Sequence, residues 1–258
     1  MKLYFKYFSI ALRCQMQHKA SFWMSLAGQF LTSFSAFLSI YFLMSIINSV
    51  NGFSFSEVLI CYSVVLMSIS LAECFFRGFD AFAGMLGGGE FDRIMVRPRG
   101  LIFQVIGSKI DLTRLGRLFQ AIAVFVYALY TCEIAWELEK VIVLVLMILS
   151  GTAVFAGLFV IYAALCFFTT ESLEFMNIFT DGGREFGRYP FGIYGEDILR
   201  FLTFCVPLAL FQYYPLLYLL GRSDLLLHKL SPIFAFLFLI PCYFIWRIGV
   251  RHYKSTGS

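Results

Sequence analysis

The side chains that most often carry catalysis or metal binding are scattered through this 258-residue sequence. Its three histidines, His18, His228 and His252, fall outside the apolar runs, and the seven cysteines include no Cys-x-x-Cys pair. Such spacings predict neither a zinc site nor a disulfide framework. The chain also lacks a Gly-x-x-x-x-Gly-Lys-Ser/Thr loop that would hold nucleotide phosphates. We therefore expect the chain to bind no cofactor of its own.

A short charged and apolar run after a triple glycine has the composition of a docking element. The glycines at 87–89 end the preceding helix. Glu90 and Asp92 then lie in the first turn of a new helix, where the helix dipole favours acids. Pro98 ends that helix, because the residue before a proline is disfavoured in the helical region.

One face of this short helix is apolar and its other faces are charged. The apolar residues share a face at i, i+3 and i+4: Phe91, Ile94 and Met95. A two-turn helix with such a knob is typical of an element that docks into a groove of another protein. The alternative is a helix that only rests on lipid head groups. The predicted docking interface comprises Glu90, Phe91, Asp92, Arg93, Ile94, Met95, Arg97 and Pro98.

The first residues of the chain predict a second functional helix. Polar residues recur there at spacings of three and four: Lys2, Lys6, Ser9, Arg13 and Gln17. A basic stripe beside a broad aromatic face is typical of a helix that lies in the membrane interface. We expect Lys2, Lys6 and Arg13 to contact lipid head groups. The alternative is a plain cytoplasmic extension of the first span.

The composition requires lipid as the solvent. Hydrophobic residues make up 60% of the chain and charged residues only 14%, whereas soluble domains carry about a quarter charged residues. The mean hydropathy is +0.81. We therefore predict an all-α polytopic membrane protein. Its net charge of +4 is then a topology signal rather than a nucleic-acid footprint, so no nucleic-acid partner is expected.

Long uncharged stretches locate the membrane spans. Six gaps between consecutive charged residues hold 37, 15, 15, 30, 21 and 17 residues, and a span needs about 20 residues. The shorter gaps borrow residues at their ends, with Arg77, Arg114 and Arg117 reaching the interface. Glu73, near the end of the second span, is expected to pair with Arg77 at i+4. The six predicted spans are 22–47, 56–78, 114–132, 140–168, 200–220 and 231–250.

The basic residues predict which side each loop faces. With a cytoplasmic N-terminus, the inner segments hold 17 of the 20 Lys and Arg residues, and the outer loops hold only Lys140, Arg222 and Lys229. This asymmetry predicts that both termini lie in the cytoplasm. The chain is expected to form one transmembrane domain, 1–258, with these parts: interfacial helix 1–19, spans one and two 20–79, cytoplasmic docking loop 80–113, spans three and four 114–168, cytoplasmic loop 169–199, spans five and six 200–250, and cytoplasmic tail 251–258.

The fourth loop and the fifth span contain the remaining irregular features. Gly, Tyr-Pro and aromatic residues in 181–194 predict a compact turn region that lies on the cytoplasmic surface. Pro207 and Pro215 predict breaks in the fifth span. We expect its outer end to break near Pro215, after which 216–227 forms a short re-entrant helix.

The docking run resembles a known family. Gly89–Pro98 is similar to the coupling-loop signature of the six-span permeases of bacterial ATP-binding-cassette exporters of the second type. The stretch from Phe186 to Gly221 resembles the family's GRYP…IY…LRxxLTFxxPxAxxxYYPxxxLLG block. Tyr253–Ser258 resembles its Tyr-x-Ser-Thr-Gly-Ser ending. The chain departs from the pattern at Phe91-Asp92 and at Met95-Val96, where the family more often has leucine.

The resemblance implies a permease without its own ATPase site. Its energy would come from a separate ATPase subunit, which binds ATP and Mg, and it would work with a second permease that is identical or related. The expected cargo is hydrophobic or amphipathic, such as a drug, a peptide or a lipid-like molecule, and membrane lipids are expected partners.

Two other classes of membrane protein remain open. An ion-coupled secondary transporter would usually carry carboxylates near the middle of its spans, and the uncharged stretches contain none. A non-transporting membrane scaffold or immunity protein needs no motif at all. An intramembrane protease is not favoured, since its nucleophile and metal motifs are missing from the sequence.

Overall fold

The computed structural model describes residues 2–132, 134–169 and 174–253, and these residues form helices joined by short turns. The helices are α1 Lys2–Gln15, α2 Lys19–Ile47, α3 Phe55–Asp80, α4 Phe82–Gly87, α5 Glu90–Met95, α6 Leu101–Ser108, α7 Leu115–Thr131, α8 Leu138–Thr169, α9 Asn177–Phe186, α10 Glu196–Phe204, α11 Leu208–Leu219, α12 Leu226–Ala235 and α13 Leu239–His252. Short 3₁₀ turns lie between several of them. The predicted all-α polytopic class is confirmed.

Within the described residues, five helical runs are long and apolar enough to cross a membrane: Lys6–Ile47, Phe55–Gly87, Leu112–Thr131, Leu138–Thr169 and Leu226–His252. They correspond to the predicted spans one to four and six. The last begins earlier than predicted, because α12 passes through Pro232 without ending. A sixth crossing exists only if the bent pair α10 and α11 is counted as one span.

The predicted fifth span, 200–220, consists of two helices, α10 and α11, that meet close to Pro207. The chain bends by 113° between α10 and α11. Pro207 is the residue before α11, where the lack of an N–H costs no intrahelical bond. The predicted break at Pro215 is wrong, since Pro215 lies inside α11 and is buried. Membrane helices tolerate such a proline where neighbouring helices pack around it.

The core of the molecule is α3, which is buried on nearly all sides. In its most apolar window 89% of the residues are buried, as expected for a helix that is apolar all round. Small residues allow α8 to approach it closely: a Cβ added at Gly151 would lie 2.4 Å from Ser68 Oγ. The Ser68 hydroxyl also donates a hydrogen bond of 3.2 Å to the carbonyl of Ile148. Close contacts between small residues are the main way in which helices associate in lipid.

Two ion pairs connect the α11–α12 loop region to the predicted outer ends of α3 and α8. Arg222 lies 2.7 Å from Glu57, and its guanidinium stacks over the ring of Phe53 at 4.3 Å. Lys229 pairs with Glu139. Two of the three basic residues assigned to the outer side are therefore matched by acids. The sidedness itself stays a prediction.

Residues 174–194, the returning segment, fold back along α8 towards the middle of the spans. A Cβ added at Gly187 would lie 2.8 Å from Val65, half-way along α3. One added at Gly183 would lie 2.9 Å from Leu208 and 3.7 Å from Phe155. The expectation of a compact turn region on the cytoplasmic surface is therefore wrong.

A buried amide makes this insertion possible. The Gln212 side chain donates to the carbonyls of Gly187 at 3.1 Å and of Tyr189 at 2.9 Å. It also accepts a hydrogen bond from the backbone N–H of Phe191 at 3.2 Å. Irregular backbone among membrane helices must have its polar groups paired. Gln212, which is itself fully buried, supplies three of those partners.

Candidate coupling site

The predicted docking run begins where α3 is extended by a short helix. After Asp80 the chain forms α4, and Gly89 then turns it into α5 with a backbone φ of +66°. This left-handed conformation favours glycine. The helix therefore ends within the triple glycine, as predicted, although Gly87 still belongs to α4.

The apolar face of α5 points into the protein rather than out of it. Phe91 is 0% exposed and Ile94 is 7% exposed. The Phe91 ring lies 5.2 Å from that of Phe82, 5.2 Å from that of Phe167 and 5.1 Å from that of Tyr253, between centroids. The predicted knob of Phe91, Ile94 and Met95 is therefore wrong for its first two members. Helical spacing identifies the apolar face but does not show whether this chain or another protein covers it.

A different set of side chains forms the exposed edge of this run. Met95 is 45% exposed and Val96 is 83% exposed. We name the exposed set the docking ridge: Glu90, Arg93, Met95, Val96, Arg97, Pro98 and Arg99. Its three arginines and single glutamate give it positive charge around two apolar side chains. A ridge of this kind suits an acidic groove.

Two residues that the motif analysis did not single out fix the ridge. The side chain of Gln104 donates to the carbonyls of Ile94 at 3.2 Å and of Arg99 at 3.0 Å. The hydroxyl of Tyr253 donates to Asp92 at 2.9 Å. Desolvation, together with the Asp92 acceptor, raises the pKa of Tyr253 to about 12. Tyr253 was visible in the sequence only as the first residue of the family-like ending.

The aromatic cluster consists of Phe79, Phe82, Phe91, Phe167, Trp246 and Tyr253. The indole of Trp246 lies 5.2 Å from the ring of Phe79 and 5.3 Å from those of Phe82 and Phe167. Tilted and edge-on ring pairs contribute about 0.5–1.5 kcal/mol each beyond the area they bury. Because its members come from α3, α4, α5, α8 and α13, the cluster joins the docking ridge to three long helices.

Comparison with known families identifies the chain. A model of the family described as "ABC-2 family transporter protein" matches residues 30–257. The chain belongs to this ABC-2 family. No curated protein and no solved structure matches it. It is the permease component of an ABC-2 transporter, a multi-pass membrane protein rather than the ATPase, and permeases of this family work with an ATPase subunit.

The N-terminal helix α1 of this ABC-2 permease packs against α6 and the loop that follows it. The ring of Tyr7 contacts Gly107 of α6 closely enough that a Cβ there would lie 2.8 Å from it. The Gln15 side chain donates to the carbonyl of Ile110 at 2.6 Å and accepts from the N–H of Leu112 at 3.1 Å. The N-terminal helix therefore braces the loop that follows α6.

The predicted basic stripe of α1 is described only in part. Lys6 and Arg13 are exposed, while the side chain of Lys2 lies outside the described residues. A short 3₁₀ turn, Met16–His18, joins α1 to α2. Because Lys6–Ile47 qualifies as one apolar helical run, the interfacial orientation of α1 stays a prediction.

Two polar cavities lie between the permease helices and share Arg117 and Arg184 in their walls. We name the cavity of about 410 Å³, whose wall includes Glu73, the lower chamber, and the cavity of about 260 Å³ the upper chamber. The Glu73 carboxylate pairs with Arg117 at 3.1 Å and with Arg114 at 3.3 Å. The predicted pairing of Glu73 with Arg77 is wrong.

Glu73 and Arg77 do not pair because each has a different neighbour. Arg77 pairs instead with Asp80, one turn further along α3, at 2.8 Å. Glu73 faces α7, where Arg117 also donates to the side chain of Gln29 at 2.7 Å.

Asp111 lies just before α7 and is partly buried, which by itself would raise the pKa of its carboxyl group. Hydrogen bonds from Thr113 and the charge of Arg114 outweigh that cost, so this pKa is lowered.

Proposed function

We propose that this permease belongs to an exporter that moves a hydrophobic or amphipathic cargo out of the cell. ATP and Mg bind to the separate ATPase subunit, and this chain holds no cofactor of its own. The observation that carries the proposal is the attachment of the exposed docking ridge to the buried aromatic cluster. The ridge gives the ATPase a surface to bind, and the cluster connects that surface to the spans.

Energy transfer follows from this connection. Interactions with the ATPase involve the exposed side chains of Met95 and Val96 and the surrounding arginines. A displacement of α5 then moves Phe91, whose ring contacts α4, the end of α8 and Tyr253. Packed aromatic side chains transmit such a shift because protein interiors are dense and resist compression.

The two kinds of contact at the ridge have different roles. Burying one large apolar side chain is worth about 1.5–3 kcal/mol, whereas an exposed ion pair contributes roughly 0–1 kcal/mol. Met95 and Val96 would therefore provide affinity. Arg93, Arg97 and Arg99 would provide orientation and partner choice, since charges at an interface rim favour specificity and fast association.

The proposed assembly contains two permeases, identical or related, in a bacterial inner membrane with both termini in the cytoplasm. The long helix α2 supports a further partner, because only 17% of its most apolar window is buried within this chain. Lipid or a second permease would cover the remainder. The apolar and aromatic outer surface of the spans suits a cargo that enters from the bilayer.

The test uses the ATPase that co-purifies with the wild-type permease in mild detergent. Val96→Asp places an unpaired charge in the proposed interface, so association is expected to fall and cargo-stimulated hydrolysis with it. Leu225→Asp is the matched control, since Leu225 is 59% exposed in the connection before α12, far along the chain from the ridge. Equal association of both variants with the ATPase, at equal membrane insertion, would contradict the proposal.

A further inference from the structure

The wall of the upper chamber is rich in arginine, although it lies inside the helical bundle. Three arginines and one carboxylate line it: Arg117, Arg184, Arg188 and Glu185. The wall therefore presents three guanidinium groups and one carboxylate. Hydroxyl groups of Ser33 and Tyr62 also lie in its wall.

This chamber lies deep among the spans rather than at their ends. Tyr62 and Leu66, which form its floor, are in the first half of α3, and Ser33 is in the middle of α2. Charged side chains at such depth are costly and mark a functional pathway in most membrane proteins. Sequence reasoning missed Arg184 and Arg188 because they come from the returning segment and not from a span.

The described ion pairs balance the charge of these arginines, because Arg114, which shares Glu73 with Arg117, also pairs with Asp111. They occupy only part of the guanidinium donors. Glu185 serves both Arg184, at 3.4 Å, and Arg188. Arg184 also reaches Asp181 at 3.2 Å, and Arg117 shares Glu73 with Arg114. Each guanidinium has five N–H donors arranged to match a carboxylate or a phosphate. Shared carboxylates leave part of that donor capacity directed at the chamber.

We propose that the upper chamber binds the anionic head group, a phosphate or a carboxylate, of an amphiphilic cargo. This inference rests on the proposed export function and specifies its cargo class. Arg117, Arg184 and Arg188 would hold the anion through charge-assisted hydrogen bonds. The chamber is partly open, so an apolar tail extends from it into the surrounding lipid.

The lower chamber has the properties of an access route. Its wall carries four arginines and four carboxylates, and its charges therefore balance: Arg77, Arg114, Arg117, Arg184, Glu73, Asp80, Glu174 and Asp181. A balanced polar wall admits water and a charged head group without retaining an anion. Selection of the anion then takes place in the upper chamber, whose wall presents three arginines and a single carboxylate.

The exposed hydroxyls of α2 extend this polar surface. Thr32 lines the upper chamber, and Ser35 and Ser39 follow it at the spacing of one helical face. Their hydroxyls bond to carbonyls of their own helix. This satisfied polar strip gives a head group a route along α2 that avoids bare hydrocarbon.

The experiment measures ligand retention by the full-length permease in phosphatidylcholine nanodiscs, without the ATPase. The probes are short-chain phosphatidic acid and, in a separate arm, inorganic phosphate, with native mass spectrometry as the readout. We expect retention of phosphatidic acid above the phosphatidylcholine background. Arg184→Gln and Arg188→Gln should each lower its apparent affinity by about tenfold, as expected for the loss of one charge-assisted contact.

Two control variants separate binding from folding. Arg200→Gln removes an arginine from α10 whose ion pair with Glu196 is exposed and lies outside the chamber, and it should bind as wild type does. Arg184→Lys keeps the charge and should recover most of the affinity. Equal melting temperatures for the glutamine variants identify a binding effect.

Three results would overturn the proposal. In the first, Arg184→Gln and Arg188→Gln leave the retention of phosphatidic acid unchanged. In the second, the permease retains phosphatidylcholine as well as it retains phosphatidic acid. In the third, it binds inorganic phosphate as tightly as phosphatidic acid, which would make the chamber a site for small anions. The first would make these arginines a purely structural network. The ATPase is absent from this experiment, so its result does not depend on whether the docking ridge binds the ATPase. The head-group proposal and the docking proposal can therefore be refuted independently.

Discussion

The hydroxyl of Tyr253, just after α13, donates a 2.9 Å hydrogen bond to the carboxylate of Asp92 in α5. The two residues are 161 positions apart. The bond ties the end of the last span to the segment that we propose to contact the ATPase. Asp92 therefore acts first within its own chain, by holding α5 in register with α13.

Tyr253→Phe tests this link. The change keeps the ring contact with Phe91 and removes only the hydroxyl donor, a loss of about 1.5–3 kcal/mol for a bond to a charged group. We expect the ATPase to remain bound while cargo transport per ATP hydrolysed falls. Transport and hydrolysis are measured together in proteoliposomes.

Tyr243→Phe is its control, since Tyr243 is exposed on α13 away from the ridge. An unchanged ratio of transport to hydrolysis in Tyr253→Phe would show that the bond has no part in coupling.

Phe91→Ala separates a buried role from a docking role. Because the Phe91 ring is enclosed by the aromatic cluster, its loss leaves a cavity and should destabilise the permease by about 3–5 kcal/mol. Val96→Ala removes an exposed side chain and should leave stability within about 0.5 kcal/mol. Thermal unfolding in detergent measures both. If Phe91→Ala melts as wild type does, Phe91 is not packed inside the chain.

Much of this fold followed from the sequence, for physical reasons. Uncharged stretches of sufficient length located five helical runs, because lipid excludes unpaired charge whatever the tertiary fold is. The inward direction of Phe91 did not follow, since α4 and the end of α8 supply the surface that covers it. Periodicity assigns residues to a face but contains no information about distant partners.

The same limit explains the other errors. The partner of Glu73 is Arg117, 44 positions away, and a local rule offered only Arg77. The returning segment has the glycine and proline content of a surface turn. Its burial depends on Gln212. The family-like block contains this residue, but spacing in the sequence does not show which backbone groups its side chain bonds. The two prolines affect the chain differently because Pro207 precedes α11, whereas Pro215 lies in its interior.

Glu73→Gln tests the buried ion pairs. Loss of this carboxylate leaves Arg114 and Arg117 without their shared anion, and breaking a buried pair typically costs about 3–5 kcal/mol. Arg77→Gln breaks a pair with Asp80 that is more exposed, so it should cost about 0–1 kcal/mol. Comparable melting temperatures for the two variants would contradict the assignment of Glu73 to Arg114 and Arg117.

Gln212→Leu tests the insertion of the returning segment. The variant is close in volume but leaves the carbonyls of Gly187 and Tyr189 and the N–H of Phe191 unpaired, at about 1–3 kcal/mol for each buried group. We expect faster hydrogen exchange at residues 187–191. Gln17→Leu, at an exposed position of the 3₁₀ turn before α2, should leave that exchange unchanged. Unaltered protection in Gln212→Leu would mean that other contacts hold the segment.

Photocrosslinking from the docking ridge tests the central claim most directly. Benzoylphenylalanine replaces Val96, and separately Leu225, in the complex purified with its ATPase. The account predicts a crosslink to the ATPase from position 96 and none from position 225, with the captured ATPase peptide coming from an acidic groove. A complex that hydrolyses ATP in response to cargo, yet gives no ATPase crosslink from position 96, would contradict it.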